Sequence, residues 1–145
     1  MAFSWEPFGR TDRETPPPAP TPAAAAPTPT AALSRRPARA LAIVTCMDCR
    51  IDPLAALGLS LGDAVVLRNA GAQVSDDVLR SLQLAQEALG IRTVQVIGHT
   101  DCAAHDGDAE VAANEAADGA ERISAVIPAL QARSGLLDLE TGTVR

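Results

Sequence analysis

An α/β fold with a mostly parallel sheet of about four strands follows from two features of this 145-residue chain. Short apolar runs rich in β-branched residues recur along it, as expected of strands buried on both faces of a parallel sheet. Between two of these runs lies a capped amphipathic segment, so that strand, helix and strand make a crossover, right-handed by the sterics of twisted strands.

Residues 40–45 (Ala-Leu-Ala-Ile-Val-Thr) give the first strand. Asp52-Pro53 opens a short helical piece through Leu57, since proline fits the first helical turn. Residues 63–67 (Asp-Ala-Val-Val-Leu) form the second strand, which leaves as the loop Arg68-Asn69-Ala70-Gly71. Ser75 caps the following helix, Asp76 and Asp77 sit at its positive end, and Gly90 terminates it. Val78, Leu82, Ala85 and Leu89 supply its apolar face. Residues 93–98 (Thr-Val-Gln-Val-Ile-Gly) are the third strand.

Beyond Cys102 the pattern weakens. Residues 106–119 have helical propensity with little large apolar surface. Ile123, Val126, Ile127 and Leu130 mark another helix that Pro128 ends or bends. Residues 135–139 read as a final strand, 140–142 as a turn, and 143–145 as the beginning of a return strand.

Nine of the eleven prolines fall between Glu6 and Pro37, so residues 1–39 are expected to be a disordered or polyproline-like arm before a domain at 40–145. The three aromatics, Phe3, Trp5 and Phe8, lie in that arm, which leaves an aliphatic core. The formal charge of -6 divides into +2 for the arm and -8 for the rest. An acidic domain is a poor partner for nucleic acid, which is bound through basic patches. No stretch is long and apolar enough to span a bilayer, and repeated prolines interrupt the N-terminus where a signal peptide needs an apolar segment. Three cysteines are too odd a set for a disulfide framework and point to thiolate chemistry in a reducing compartment, the cytoplasm.

Two strand ends carry the chemistry. Cys46-Met47-Asp48-Cys49-Arg50 ends the first strand and His99-Thr100-Asp101-Cys102 the third. If the second strand packs outside the first and the chain then crosses back, the first and third strands become neighbours. Their carboxyl ends then flank a topological switch point, where open α/β sheets bind ligands. Cys46, His99 and Cys102 would converge there as three ligands for a soft divalent ion, with the fourth position open for water, as in catalytic zinc sites. Each residue alone is more simply a buried cysteine or a loop histidine; together they argue for metal.

Cys46-x-Asp48-x-Arg50 followed by His99-x-x-Cys102 resembles the signature of the β-class carbonic anhydrases. The similarity extends through Arg68-Asn69-Ala70-Gly71 and the helix over residues 75–90, and more loosely to residues 135–142. It implies Zn(2+) on Cys46, His99 and Cys102, and reversible hydration of carbon dioxide to bicarbonate and a proton by zinc-bound hydroxide. In this likeness Asp48 and Arg50 are a dyad beside the metal: Asp48 accepts a hydrogen bond from the reacting oxygen, and Arg50 keeps it ionised and aimed. The family also has a closed form in which the aspartate becomes a fourth ligand. A homodimer or higher homo-oligomer is implied, because family sites sit at a subunit interface.

Alternatives stand beside this. Cys49 reads first as a small side chain where the resembling family commonly has one, but it also offers a fourth sulfur for a closed, structural site, or a redox dithiol with Cys46. The chain would then be a zinc-binding protein without hydratase activity. The same ligand set also serves hydrolysis of carbon disulfide or carbonyl sulfide. His105 is expected to be solvated, Asp101 to bond loop backbone, and Arg68 and Asn69 to fix the loop after the second strand. Two departures from the family are visible: Ala103 stands where glycine follows the second cysteine, and only 32 residues (103–134) precede the final strand.

Overall fold

The computed structural model describes residues 29–145. Most of the expected arm, residues 1–28, lies outside them. One compact unit covers Ala31–Arg145. Just ahead of the first strand, the N–H groups of Ala38 and Arg39 donate to the carbonyls of Gly62 and Asp63.

The strands are β1 (Leu41–Cys46), β2 (Ala64–Asn69), β3 (Thr93–His99), β4 (Gln131–Asp138) and β5 (Thr143–Val144). The helices are α1 (Pro53–Ala56), α2 (Asp76–Leu84) and α3 (Ala109–Val126). The sheet order is β2-β1-β3-β4-β5, with only the β4–β5 pair antiparallel. β1 therefore has β2 on one side and β3 on the other, both parallel to it. This is the crossing back that the sequence required, and it opens the switch point between β1 and β3.

The two faces of the sheet are covered unequally. Ala42, Val44, Val94 and Val96 pack under Val78, Leu79 and Leu82 of α2 and Ala116, Ala120 and Ile123 of α3. On the opposite face Ile43, Ile97 and Leu137 meet Ile51 and the partly buried Leu54, Leu57 and Leu59, around and beyond the four-residue α1. Handedness explains this: β2-α2-β3 and β3-α3-β4 advance in the same direction across the sheet and must cross on one face, whereas β1-α1-β2 runs the other way. Burying a side chain such as Ile43, Leu82 or Ile123 stabilises the unit by roughly 1.5–3 kcal/mol each.

The caps of α2 behave as expected. Ser75 Oγ accepts from the Val78 N–H, Asp76 and Asp77 occupy the first turn, and the helix continues as a π-turn (Ala85–Leu89) to Gly90. Three expectations need correction. The two helical segments beyond Cys102 are one 18-residue helix, α3, capped by Asp108 and ending two residues before Pro128. Its buried face is built from Ala112, Ala116, Gly119 and Ala120 as well as Ile123, side chains too small to register as an apolar stripe. β4 starts at Gln131, four residues earlier than expected, because its first half is largely exposed and polar. The return pairing of β5 makes the sheet five-stranded.

Small residues let α3 sit close. A Cβ on Gly98 would lie 2.6 Å from the Ala112 carbonyl oxygen, and one on Gly119 would lie 2.7 Å from Val74 Cγ2. Gly98→Ala should therefore push α3 off the sheet and cost about 1–3 kcal/mol, the usual penalty for overfilling a packed site. Chemical denaturation checks this, as a lowered midpoint at unchanged slope; an unchanged midpoint would show that α3 is not seated so closely.

Candidate metal centre

β1 and β3 run in register from Leu41 opposite Thr93 to Thr45 opposite Ile97. Cys46 and His99 thus leave the sheet side by side, and the turn after β3 returns Cys102 to them. One donor atom from each of Cys46, His99 and Cys102 lies within 4.8 Å of the other two, and all three residues are buried. The two sulfurs are 3.9 Å apart.

The imidazole is set by its neighbour. His99 Nδ1 lies 2.8 Å from the Thr100 carbonyl oxygen, and since a carbonyl only accepts, Nδ1 carries the proton. Nε2 is left with a bare lone pair. It is the one buried side-chain nitrogen or oxygen without a hydrogen-bond partner among the described residues. A buried polar atom without a partner costs about 1–3 kcal/mol, and a cation bound at that lone pair would remove the cost. Thr100 is fixed in turn by β4: its N–H donates to the Leu137 carbonyl, and its Oγ1 accepts from the Leu139 N–H at 3.0 Å. Two sulfurs and an imidazole with its second nitrogen tied to a carbonyl form the donor set a soft divalent ion takes.

The thiols are also held. The Gly71 N–H donates to Cys46 Sγ at 3.4 Å. Gly71 has φ 76, and a Cβ there would come within 2.8 Å of His105 Nε2, so glycine is needed for both reasons. Burial pushes the Cys102 thiol up and the neighbouring Cys46 adds to this, while backbone N–H groups of Ala104 and His105 pull it down. A divalent cation would reverse that balance and favour the thiolate.

Asp48 stands at the mouth. Arg50 Nε and NH2 donate to its two oxygens at 3.0 and 2.7 Å, and the Arg50 backbone N–H donates to Oδ1 at 2.9 Å. The side-chain bond from Arg50, followed by the backbone bond, holds the Asp48 carboxyl well below the usual carboxylate range against the opposing effect of burial. Asp48 Oδ2 is 4.0 Å from His99 Nε2. A cleft of about 300 Å³ opens between Cys46, Met47, Asp48, Ala70, Ala103 and Ala104. A groove of about 620 Å³ between Arg36 and Gln131 is larger but contains none of the cluster residues.

Asp101 and His105 sit differently from expectation. Asp101 pairs with Arg50 through its carboxylate, a partner 51 residues away that local sequence could not indicate. His105 is half-buried, with Nε2 3.2 Å from the Gly71 carbonyl oxygen, rather than solvated. Cys49 is exposed and outside the metal cluster. Asn69 fixes the loop after β2 as expected, whereas Arg68 fixes the end of β1 and the loop after it instead. Arg68 donates to the carbonyls of Cys46 and Asp48 at 2.9 and 2.6 Å, and Asn69 exchanges two bonds with the Gln73 backbone. The contribution of Thr100 had no signal in the sequence beyond its place beside His99.

The family model described as carbonic anhydrase matches residues 41–139. Beta-carbonic anhydrase 1 of Mycobacterium tuberculosis is 50% identical over 66 residues, covering 46% of this chain and 40% of that protein. Carbon disulfide hydrolase of Saccharolobus solfataricus is 47% identical over 64 residues, covering 44% and 31%. The alignments therefore span less than half the length of these curated relatives. Among solved structures, the carbonic anhydrase from Streptococcus mutans superposes with a TM-score of 0.62 at 32% identity, over 84% of this chain and 86% of that one.

Metal analysis tests the donor set. After loading with zinc, Cys46→Ser and Cys102→Ser should each lose most of the metal, whereas Cys49→Ala should keep one equivalent. Loss of metal from Cys49→Ala alone would restore the closed four-ligand site.

Proposed function

The chain belongs to the β-class carbonic anhydrase family, and we propose that it hydrates carbon dioxide reversibly to bicarbonate and a proton, with Zn(2+) held by Cys46, His99 and Cys102. The observation that carries this reading is the buried, partnerless Nε2 of His99 facing two sulfurs. When bound, zinc supplies the Lewis acidity that makes water nucleophilic at neutral pH.

The protein's own part is orientation and access. Asp48, kept ionised by Arg50, accepts a hydrogen bond from the reacting oxygen and directs a lone pair toward the cleft. A carboxyl held this low is a weak base at neutral pH, so Asp48 aligns the nucleophile and the proton leaves to solvent. Cys46, Met47, Ala70, Ala103 and Ala104 offer an apolar wall suited to a small uncharged substrate. Both Asp48 oxygens are engaged by Arg50, which supports the open form; use of Asp48 as a fourth ligand requires breaking that pair.

Hydrolysis of carbon disulfide is the second reading, favoured by the 47% identity to a carbon disulfide hydrolase, and the apolar cleft suits that substrate as well. A homodimer in the cytoplasm completes the proposal. Leu54, Leu57 and Leu59, only partly buried over that face of the sheet, support association with a second copy, and Met47, 66% exposed at the cleft, would gain cover there. The three cysteines are all free, in keeping with a reducing compartment. Among the described residues, no helix is long and apolar enough to cross a membrane.

Stopped-flow hydration with matched zinc analysis tests the reaction: activity should follow zinc content, and zinc-loaded protein without it would end this reading. Asp48→Asn should retain zinc and lose about 10–100-fold in kcat/KM, the usual range for a group that orients a metal site. Sedimentation equilibrium should return twice the chain mass.

A further inference from the structure

Resting on that reading, we propose that Asp101 is a positioning residue for the reaction: it pins the far side of Arg50 and so fixes the guanidinium edge that aims Asp48. A guanidinium presents five N–H donors in one plane. Nε and NH2 of Arg50 are committed to Asp48. On the other side NH1 donates to Asp101 Oδ2 at 2.8 Å, and NH2 donates again to the Asp101 carbonyl at 3.1 Å. Arg50 cannot swing away from Asp48 without also breaking its bonds to Asp101.

The turn is shaped for this. Asp101 has φ 54, in the left-handed region that aspartate tolerates better than most side chains. In this turn its carbonyl and its carboxylate both reach the same guanidinium. Asp101 lies between His99 and Cys102, while Arg50 follows Cys46 and Asp48. One guanidinium thereby ties the two loops that carry the three donor residues.

A bland surface ion pair is the competing account. The side chains of Arg50 and Asp101 are 49% and 75% exposed, and pairs so exposed add little to stability. The proposal therefore predicts an effect on Arg50 and turnover with little effect on folding. The test uses the full-length zinc-loaded protein, labelled with ¹⁵N-arginine, as wild type, Asp101→Ala and Asp101→Asn. Arg50→Lys identifies the Arg50 Nε–H resonance.

In Asp101→Ala, zinc content should hold, the thermal midpoint should fall only slightly, because alanine tolerates the left-handed turn less well than aspartate, and exchange of the Arg50 Nε–H with water should accelerate. kcat for carbon dioxide hydration should fall about two- to fivefold at unchanged KM, the scale of one exposed pair. Asp101→Asn, which keeps an acceptor oxygen for NH1, should recover much of the loss. Unchanged Arg50 exchange in Asp101→Ala overturns the proposal, as does equal loss of zinc and activity in both variants, the mark of a merely structural turn. If wild type proves inactive toward carbon dioxide, the proposed function fails, while the Arg50 exchange still decides whether Asp101 holds the guanidinium.

Discussion

A buried imidazole nitrogen with no hydrogen to accept, facing two sulfurs, is the constraint around which this molecule is organised. A buried lone pair without a partner is unfavourable by itself, and the surrounding bonds hold it in place. Thr100 takes the opposite ring proton, and the end of β4 holds Thr100 through both its N–H and its hydroxyl. The C-terminal half thus has a direct part in setting the ring.

The topology explains why donors so distant in sequence meet. Parallel pairing of β1 with β3 puts both carboxyl ends at one edge, and reversal of the winding direction after β2 clears the space above them. Each loop then receives its own restraint. Arg68, reaching from the edge strand, ties down the carbonyls of Cys46 and Asp48, and Gly71 turns tightly enough to offer its N–H to Cys46. The side chains that shape the site are thus held by backbone on several elements, as orientation to a fraction of an ångström requires.

What could be read from sequence divides along physical lines. β1 and β3 announce themselves because strands buried on both faces are unbroken apolar runs, and the start and stop of α2 are written in Ser75, Asp76, Asp77 and Gly90. The Asp48–Arg50 pair is legible through the resemblance of Cys46-x-Asp48-x-Arg50 to the family signature, since spacing alone would equally suit a solvated ion pair in a turn. α3 reads from sequence as two segments because Ala112, Ala116 and Gly119 bury a face by being small, which no scan for large apolar residues detects. The polar opening of β4 joins the sheet only because β3 is beside it. The bond from Arg50 to Asp101 and the seat of His105 on Gly71 arise from the meeting of separate loops. Local pattern carries no record of such encounters.

The sheet order also implies a gradient of rigidity across the molecule. β1 and β3 are each flanked by parallel neighbours on both sides, whereas β5 pairs over two residues at one margin and β2 has a single neighbour at the other. Amide protons on the two central strands should therefore be the last to exchange, and those of β5 among the first. Cys46 and His99 close the two slow-opening strands, and Cys102 lies on a turn that Arg50 fastens to the first loop and Thr100 to β4. The donor set would then hold together while the margins of the sheet fray.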